Sequence, residues 1–192
     1  MAGSVLVVDD ESEVAELYAQ HLRPDHDVRV AHGGEEALNA VDDAVDVVML
    51  DRRLGDRSGD EVLEELRARG HDCRVVMVTG VTPEVDVVEL PFDDYVVKPV
   101  GPEEVHAIVD RLLARATYHA RAREYFRLVA KRAALCAHHS AAELADSEEF
   151  DRLETCIEEA SDGLDGTLAE FENHDFRELF SSFSKHVCHS RN

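Results

Sequence analysis

Short β-branched runs alternate with amphipathic stretches over roughly the first 115 positions of the chain. The runs are Ser4–Val8, Asp27–Val30, Val45–Leu50, Arg74–Val78 and Asp94–Lys98. Three of them are apolar almost throughout, which suits strands covered on both faces of a parallel sheet. Helical periodicity fills the intervals at Glu11–Leu22, Glu35–Val41 and Asp60–Arg69, and starts again near Pro102. There Gly101 precedes Pro102, Glu103 and Glu104, which puts proline in the first turn and acids at the positive end of the helix dipole. The alternation predicts an α/β fold, a doubly wound five-stranded parallel sheet, with sites beyond the carboxyl ends of its strands. The stretch after Thr79 breaks the pattern. Pro83 and Pro91 push the residues before them away from helix, so this stretch is expected to hold two helical turns at most, or an irregular loop.

From Pro102 the helical pattern runs on through Leu144 without Gly or Pro. A turn is expected near Asp146–Ser147, with Asp146 and Glu149 at capping-box spacing. Phe150, Leu153, Ile157, Ala160, Leu164, Thr167 and Phe171 then form a heptad seam, weakened by Gly163 and Gly166. Two helices joined by a short turn predict an antiparallel α-helical hairpin. A third short helix is expected at Phe176–Phe183, with Asp175 and Glu178 as its capping box. The resulting division is a first domain at 1–113, a helical domain at 114–185 and a tail at 186–192. Cys136 and Cys156 lie symmetrically about residue 146. They read as small core residues of the seam rather than as metal ligands with His138 and His139.

Charge changes the picture. The chain has 42 acidic residues against 20 Lys plus Arg, a formal −22, and its lysines are Lys98, Lys131 and Lys185. Molar salt, which shortens the Debye length to about 3 Å, relieves such self-repulsion. The composition resembles that of proteins from salt-in halophiles and argues against broad attraction to nucleic acid. No apolar run approaches the ~18–20 residues of a membrane span. The N-terminus lacks the basic start of a signal peptide. Scattered cysteines without a CxxC pair indicate free thiols. The expected location is cytoplasmic, with no membrane partner.

The distinctive polar residues all fall at the ends of the predicted strands. Asp9 and Asp10 follow the first, Asp51 the third and Thr79 the fourth, while Lys98 ends the fifth. Doubly wound topology gathers these tips into one acidic pocket. Clustered carboxylates repel by about 4 kcal/mol per pair at an effective dielectric of 20, so the pocket favours a cation, and an all-oxygen donor set suits Mg²⁺. The cation can also bridge to a phosphoryl group. A carboxylate can attack phosphorus to form an acyl phosphate, with a hydroxyl and an ammonium available to the phosphoryl oxygens.

The segments VVDDE, MLDRRL, MVTG and YVVKPV, in this order and spacing, resemble the receiver domain of two-component response regulators, a flavodoxin-like fold. The resemblance implies that Asp51 is the phosphoacceptor and that Asp9 and Asp10 bind Mg²⁺ together with the Arg53 backbone carbonyl. It implies further that Thr79 is the switch hydroxyl, Tyr95 the switch aromatic and Lys98 the phosphate-pairing lysine. Pro99 matches a proline that usually follows a cis peptide. Phosphorylation should draw Thr79 inward and let Tyr95 rotate; the plainer alternative for Tyr95 is an amphipathic edge-strand residue. Gly55 stands where the family usually has proline, which implies a more mobile loop. The shortened helix before Tyr95 argues against the family's usual dimer face. Val81 and Arg53 are expected to flank the path of hydrolytic water and to prolong the phosphorylated state.

A P-loop is absent, and Arg53, two residues after Asp51, cannot serve as the acid/base of a dehalogenase-type phosphohydrolase. The chain is therefore not read as an independent enzyme. The second half resembles the HalX domain that accompanies receivers in haloarchaea. Its expected role is protein interaction. Direct DNA contact by the basic run Arg111, Arg115, Arg121, Arg123, Arg127, Lys131 and Arg132 is the alternative. The implied partners are a sensor histidine kinase, a downstream protein and, as an option, a second copy of the chain.

Overall fold

The structure is a computed structural model, and it describes residues 2–83 and 89–164. The chain divides into two compact units, Met1–Ala116 and Thr117–Asn192.

In the first unit β1 (Ser4–Val8), β2 (Asp27–Ala31), β3 (Val47–Leu50), β4 (Arg74–Thr79) and β5 (Asp94–Val97) form one sheet in the order β2-β1-β3-β4-β5. Every pairing is parallel. The helices between them are α1 (Ser12–Leu22), α2 (Gly34–Ala40) and α3 (Gly59–Ala68), with α4 (Pro102–His138) after β5. Because side chains alternate along a strand, the sheet splits its apolar residues between two cores. Leu6, Val8, Val48, Leu50, Val75 and Met77 meet Leu38 of α2 and Leu63 and Leu66 of α3. Val5, Val7, Val47, Met49, Val76 and Val78 meet Tyr18 and Leu22 of α1 and Val105, Val109 and Leu112 of α4. β1 and β3 are buried on both sides, which is why their sequences are almost uninterrupted Val, Leu and Met.

Local chemistry sets the element ends. Ser58 caps α3 in a capping box with Glu61, each side chain bonding the other's backbone N–H. α4 opens on Pro102 with Glu103 and Glu104 in its first turn. The Lys98–Pro99 peptide is cis, as the resemblance implied. The stretch between the prolines, expected as a short helix or loop, has residues 84–88 outside the described residues.

In the second unit the expected uninterrupted helix to Leu144 is corrected. α4 stops at His138, and Ser140 starts a new helix, α5 (Ala141–Ala145), through its own capping box with Glu143. A side chain able to satisfy free N–H groups competes with continuation of the backbone ladder. The next cap is Ser147 rather than Asp146: its hydroxyl accepts from the Phe150 N–H at 3.2 Å, and residues 148–164 form the following helix, α6.

The hairpin is antiparallel, since Arg121 bonds the Gly163 carbonyl at 2.8 Å and Arg132 bonds Glu154 at 2.6 Å. These pairs centre near residue 142, not 146, so Cys136 and Cys156 are out of register with each other. Both are exposed, which corrects their expected place in the core of the seam. Phe150, Leu153, Ile157, Ala160 and Leu164 are all partly buried along α6. Thr167, Phe171, the Phe176–Phe183 helix and the tail lie outside the described residues.

Candidate functional site

Parallel strands end together, and the register fixes which residues meet. Val8 pairs with Leu50, so Asp9 and Asp51 leave adjacent strands at the same level. Thr79 pairs with Val97, so Lys98 follows at the matching height on β5. The Lys98 N–H donates to the Thr79 carbonyl at 2.9 Å and closes that corner.

Carboxylate oxygens of Asp9, Asp10 and Asp51 lie within 4.8 Å of one another. Asp9 and Asp51 are buried and Asp10 is exposed, so the cluster opens to solvent on one side. The Lys98 ammonium donates to Asp9 Oδ2 and to Asp51 Oδ2, each at 2.6 Å. Asp9 Oδ1 accepts from the Glu11 N–H, and Asp51 Oδ1 accepts from the Arg53 N–H, both at 3.1 Å.

One ammonium facing three carboxylates leaves a formal excess of negative charge. Burial raises the Asp9 carboxyl above the usual aspartate range, and the Lys98 hydrogen bond and charge only partly oppose this. Burial also works against the Lys98 ammonium, yet its bonds to Asp51 and Asp9 raise its pKa overall. The two partners thus differ: the lysine is well compensated and Asp9 is not. An oxygen-only cluster with uncompensated negative charge and an open side fits a hard dication.

Thr79 is buried, and its hydroxyl accepts from the Val81 N–H at 3.4 Å. Tyr95 is half-buried beside Phe92, and its hydroxyl donates to the Val81 carbonyl at 2.8 Å. Val81 therefore joins the two residues expected to switch. The Arg53 side chain is exposed while its backbone lies against Asp51.

Several residues that support the site carry no motif signal of their own. The Asp56 carboxylate accepts from the Gly34 and Glu35 N–H groups at 2.8 and 2.9 Å, which ties the β3–α3 loop to the start of α2. Arg52 forks onto Asp60, and the Gly59 N–H bonds the Arg52 carbonyl at 2.8 Å. The extra mobility expected from Gly55 is opposed by these braces. Asp93 holds Arg67 and Arg74 together with the Val75 N–H, which fixes the entry to β5.

The family description "Response regulator receiver domain" matches residues 5–110. The chain belongs to the response-regulator receiver family. A HalX domain follows the receiver at residues 114–180. A Haloferax volcanii protein with the provisional name of transcriptional regulator is 52% identical over 132 residues, 68% of this chain and 23% of that protein. The transcriptional regulatory protein CpxR of Escherichia coli is 36% identical over 116 residues, 58% of this chain and 50% of CpxR. The chain thus spans about a quarter and a half of these two relatives. Among solved structures, the BeF3-activated receiver domain of DrrB is similar at 32% identity and a TM-score of 0.54, covering 59% of this chain and 98% of that one. The family match and the similarity to a solved receiver domain thus agree on the receiver fold. Among the described residues no helix is long and apolar enough to cross a membrane.

Proposed function

We propose that this response regulator accepts a phosphoryl group on Asp51 from the phosphohistidine of a sensor kinase and thereby switches its C-terminal helical domain. The observation that carries the reading is Asp51 itself, a buried carboxylate at a strand end, held by Lys98 inside a three-aspartate cluster. In the transfer an Asp51 carboxylate oxygen attacks phosphorus, the new P–O bond forms and the P–N bond to imidazole breaks. The imidazole leaves with its electron pair and takes a proton from solvent. Asp9, Asp10, Asp51 and the Arg53 carbonyl would hold Mg²⁺, which supplies charge neutralisation for the phosphoryl oxygens when bound. Lys98 then exchanges its bond to Asp51 for one to the phosphoryl group. Beyond this self-modification and its hydrolysis the chain is not an enzyme.

The added negative charge attracts the Thr79 hydroxyl. Movement of Thr79 releases the Val81 N–H, and the Val81 carbonyl anchors the Tyr95 hydroxyl, so both switch residues share one backbone unit. Phosphorylation acts by shifting the population between two arrangements of this unit. The receiver at 1–113 would pass this shift to the helical domain at 114–185.

Output through a downstream protein is favoured over direct DNA contact. Arg111, Arg115, Arg121, Arg127 and Arg132, five of the seven bases in the run, bond to partners within the chain. Asp94, Glu124 and Glu154 offset the charges of Arg111, Arg127 and Arg132, which weakens the run as a phosphate-binding surface. A cytoplasmic setting accords with Cys73, Cys136 and Cys156 as free thiols.

Incubation with acetyl phosphate and Mg²⁺ followed by intact-mass spectrometry tests the reading. One phosphoryl group should be gained, and none by Asp51→Ala. Equal gain in the variant, or none in the wild type at any magnesium concentration, rejects it.

A further inference from the structure

At the opposite end of the sheet from the acidic cluster, a second group of ionisable side chains surrounds a cavity of about 370 Å³ lined by Ala2, Asp25, His26, His106 and Asp110. The register places it there. Ser4 opens β1 opposite Asp27 of β2, so His26 lies just before the amino end of that strand. His106 and Asp110 are four residues apart on α4 and so share one helix face.

We propose that His26, His106, Asp25 and Asp110 form a binding site for a divalent transition metal of the zinc class, separate from the magnesium-type cluster. His26 is the anchor. Its side chain is 2% exposed, and its Nε2 has no hydrogen-bond partner although it points toward Asp110 Oδ1 at 3.9 Å. A buried polar atom without a partner is unfavourable, and a bound ion would relieve that cost. His106 Nδ1 lies 3.9 Å from Asp25 Oδ2, and the two imidazole rings are 6.4 Å apart between centroids.

The donor set selects the ion. Two imidazoles with two carboxylates suit zinc, cobalt or nickel, whereas Mg²⁺ and Ca²⁺ favour oxygen alone. Tetrahedral bonds of about 2.0–2.2 Å place neighbouring donors about 3.3 Å apart. Each of the two 3.9 Å pairs is therefore about 0.6 Å wider than that spacing, and no three of the four donors lie within 4.8 Å of one another. Bringing all four donors onto one ion requires inward rotation of side chains on the rim. Asp25 and Asp110 are 68% and 62% exposed and His106 is 32% exposed, so these three can rotate while His26 stays fixed.

Two features bear on the affinity. Burial lowers the pKa of His26, so its ring is neutral and has a lone pair to give at neutral pH. Against this, the Gly3 N–H donates to His26 Nδ1, which leaves the ring proton on Nε2. A metal on Nε2 moves that proton to Nδ1 and displaces the Gly3 contact. That contact is 3.4 Å long, outside the ordinary 2.7–3.2 Å range, so little is lost with it. A bound ion would clamp the turn before β2 to α4.

Cobalt(II) titration of the full chain tests the proposal, with saturating Mg²⁺ to occupy the acidic cluster and molar salt to suppress diffuse binding. Visible d–d bands should saturate at one equivalent, without the intense near-ultraviolet bands of thiolate ligation. His106→Ala and Asp110→Ala, both at accessible positions, should each weaken binding by at least about tenfold. Absence of saturable binding, thiolate bands, or equal affinity in both variants overturns the assignment.

Discussion

The Lys98 ammonium sits 2.6 Å from the Asp51 carboxylate and the same distance from Asp9, bridging two buried acids that leave neighbouring strands. In this arrangement the lysine is the counter-charge of the resting site. Removing one member of a buried ionic group leaves the others uncompensated, at roughly 3–5 kcal/mol.

Lys98→Ala should therefore lose about that much stability in chelator and recover a large part of it on adding Mg²⁺, which takes over the neutralising role. Urea unfolding with and without the ion measures both quantities. Equal stability of variant and wild type in chelator would show that the lysine does not neutralise the cluster.

Gly59 has a packing role. A Cβ there would lie 2.2 Å from the Asp51 carbonyl oxygen and 2.9 Å from Arg52 Cα, both backbone atoms that cannot swing aside. Gly59→Ala should cost about 1–3 kcal/mol and shift the loop that carries Arg53. Thermal denaturation and acetyl phosphate reactivity should fall together. Unchanged values for both would contradict the close approach.

Much of this was readable from residue order. Strands β1 and β3 announce themselves because burial on both faces demands continuous Val, Leu and Met. The positions of Asp9, Asp51, Thr79 and Lys98 follow from parallel register once the strands are known. The break at Ser140 was hidden because an alanine-rich stretch has high helix propensity, and only Ser140 and Glu143 at capping spacing marked the stop. The misplaced hairpin centre then misaligned Cys136 and Cys156. Asp56, Asp93 and the His26 cavity were invisible for another reason: each depends on contacts between residues 18 to 84 positions apart.

His26 gives a pH dependence of definite sign. Burial lowers its folded-state pKa below the ordinary 6.5, with Asp25, Asp110 and His106 as the ionisable groups facing it. The unfolded chain therefore takes up the proton first as pH falls. The stability contribution is present above pH 6.5 and is lost as pH falls through the folded value. Thermal unfolding in chelator from pH 8 to 5 should show this loss, and His26→Gln should flatten the slope. An identical slope in the variant would assign the dependence to other groups.

Val81 and Arg53 bear on how long the signal lasts. Val81 is half-buried with its backbone engaged by Thr79 and Tyr95, and the Arg53 side chain is exposed beside Asp51. Replacing both by small polar residues should open a path for water and speed dephosphorylation. The decay rate of the phosphorylated protein reports this directly, and an unchanged rate rejects the shielding role.

Borohydride trapping asks which carboxylate carries the phosphoryl group. An aspartyl phosphate is reduced to homoserine, and peptide mapping identifies the position. After treatment with acetyl phosphate and Mg²⁺, homoserine should replace Asp51, with Asp9 and Asp10 intact. Homoserine at either of those two aspartates, or at none of the three, would contradict the assignment of Asp51.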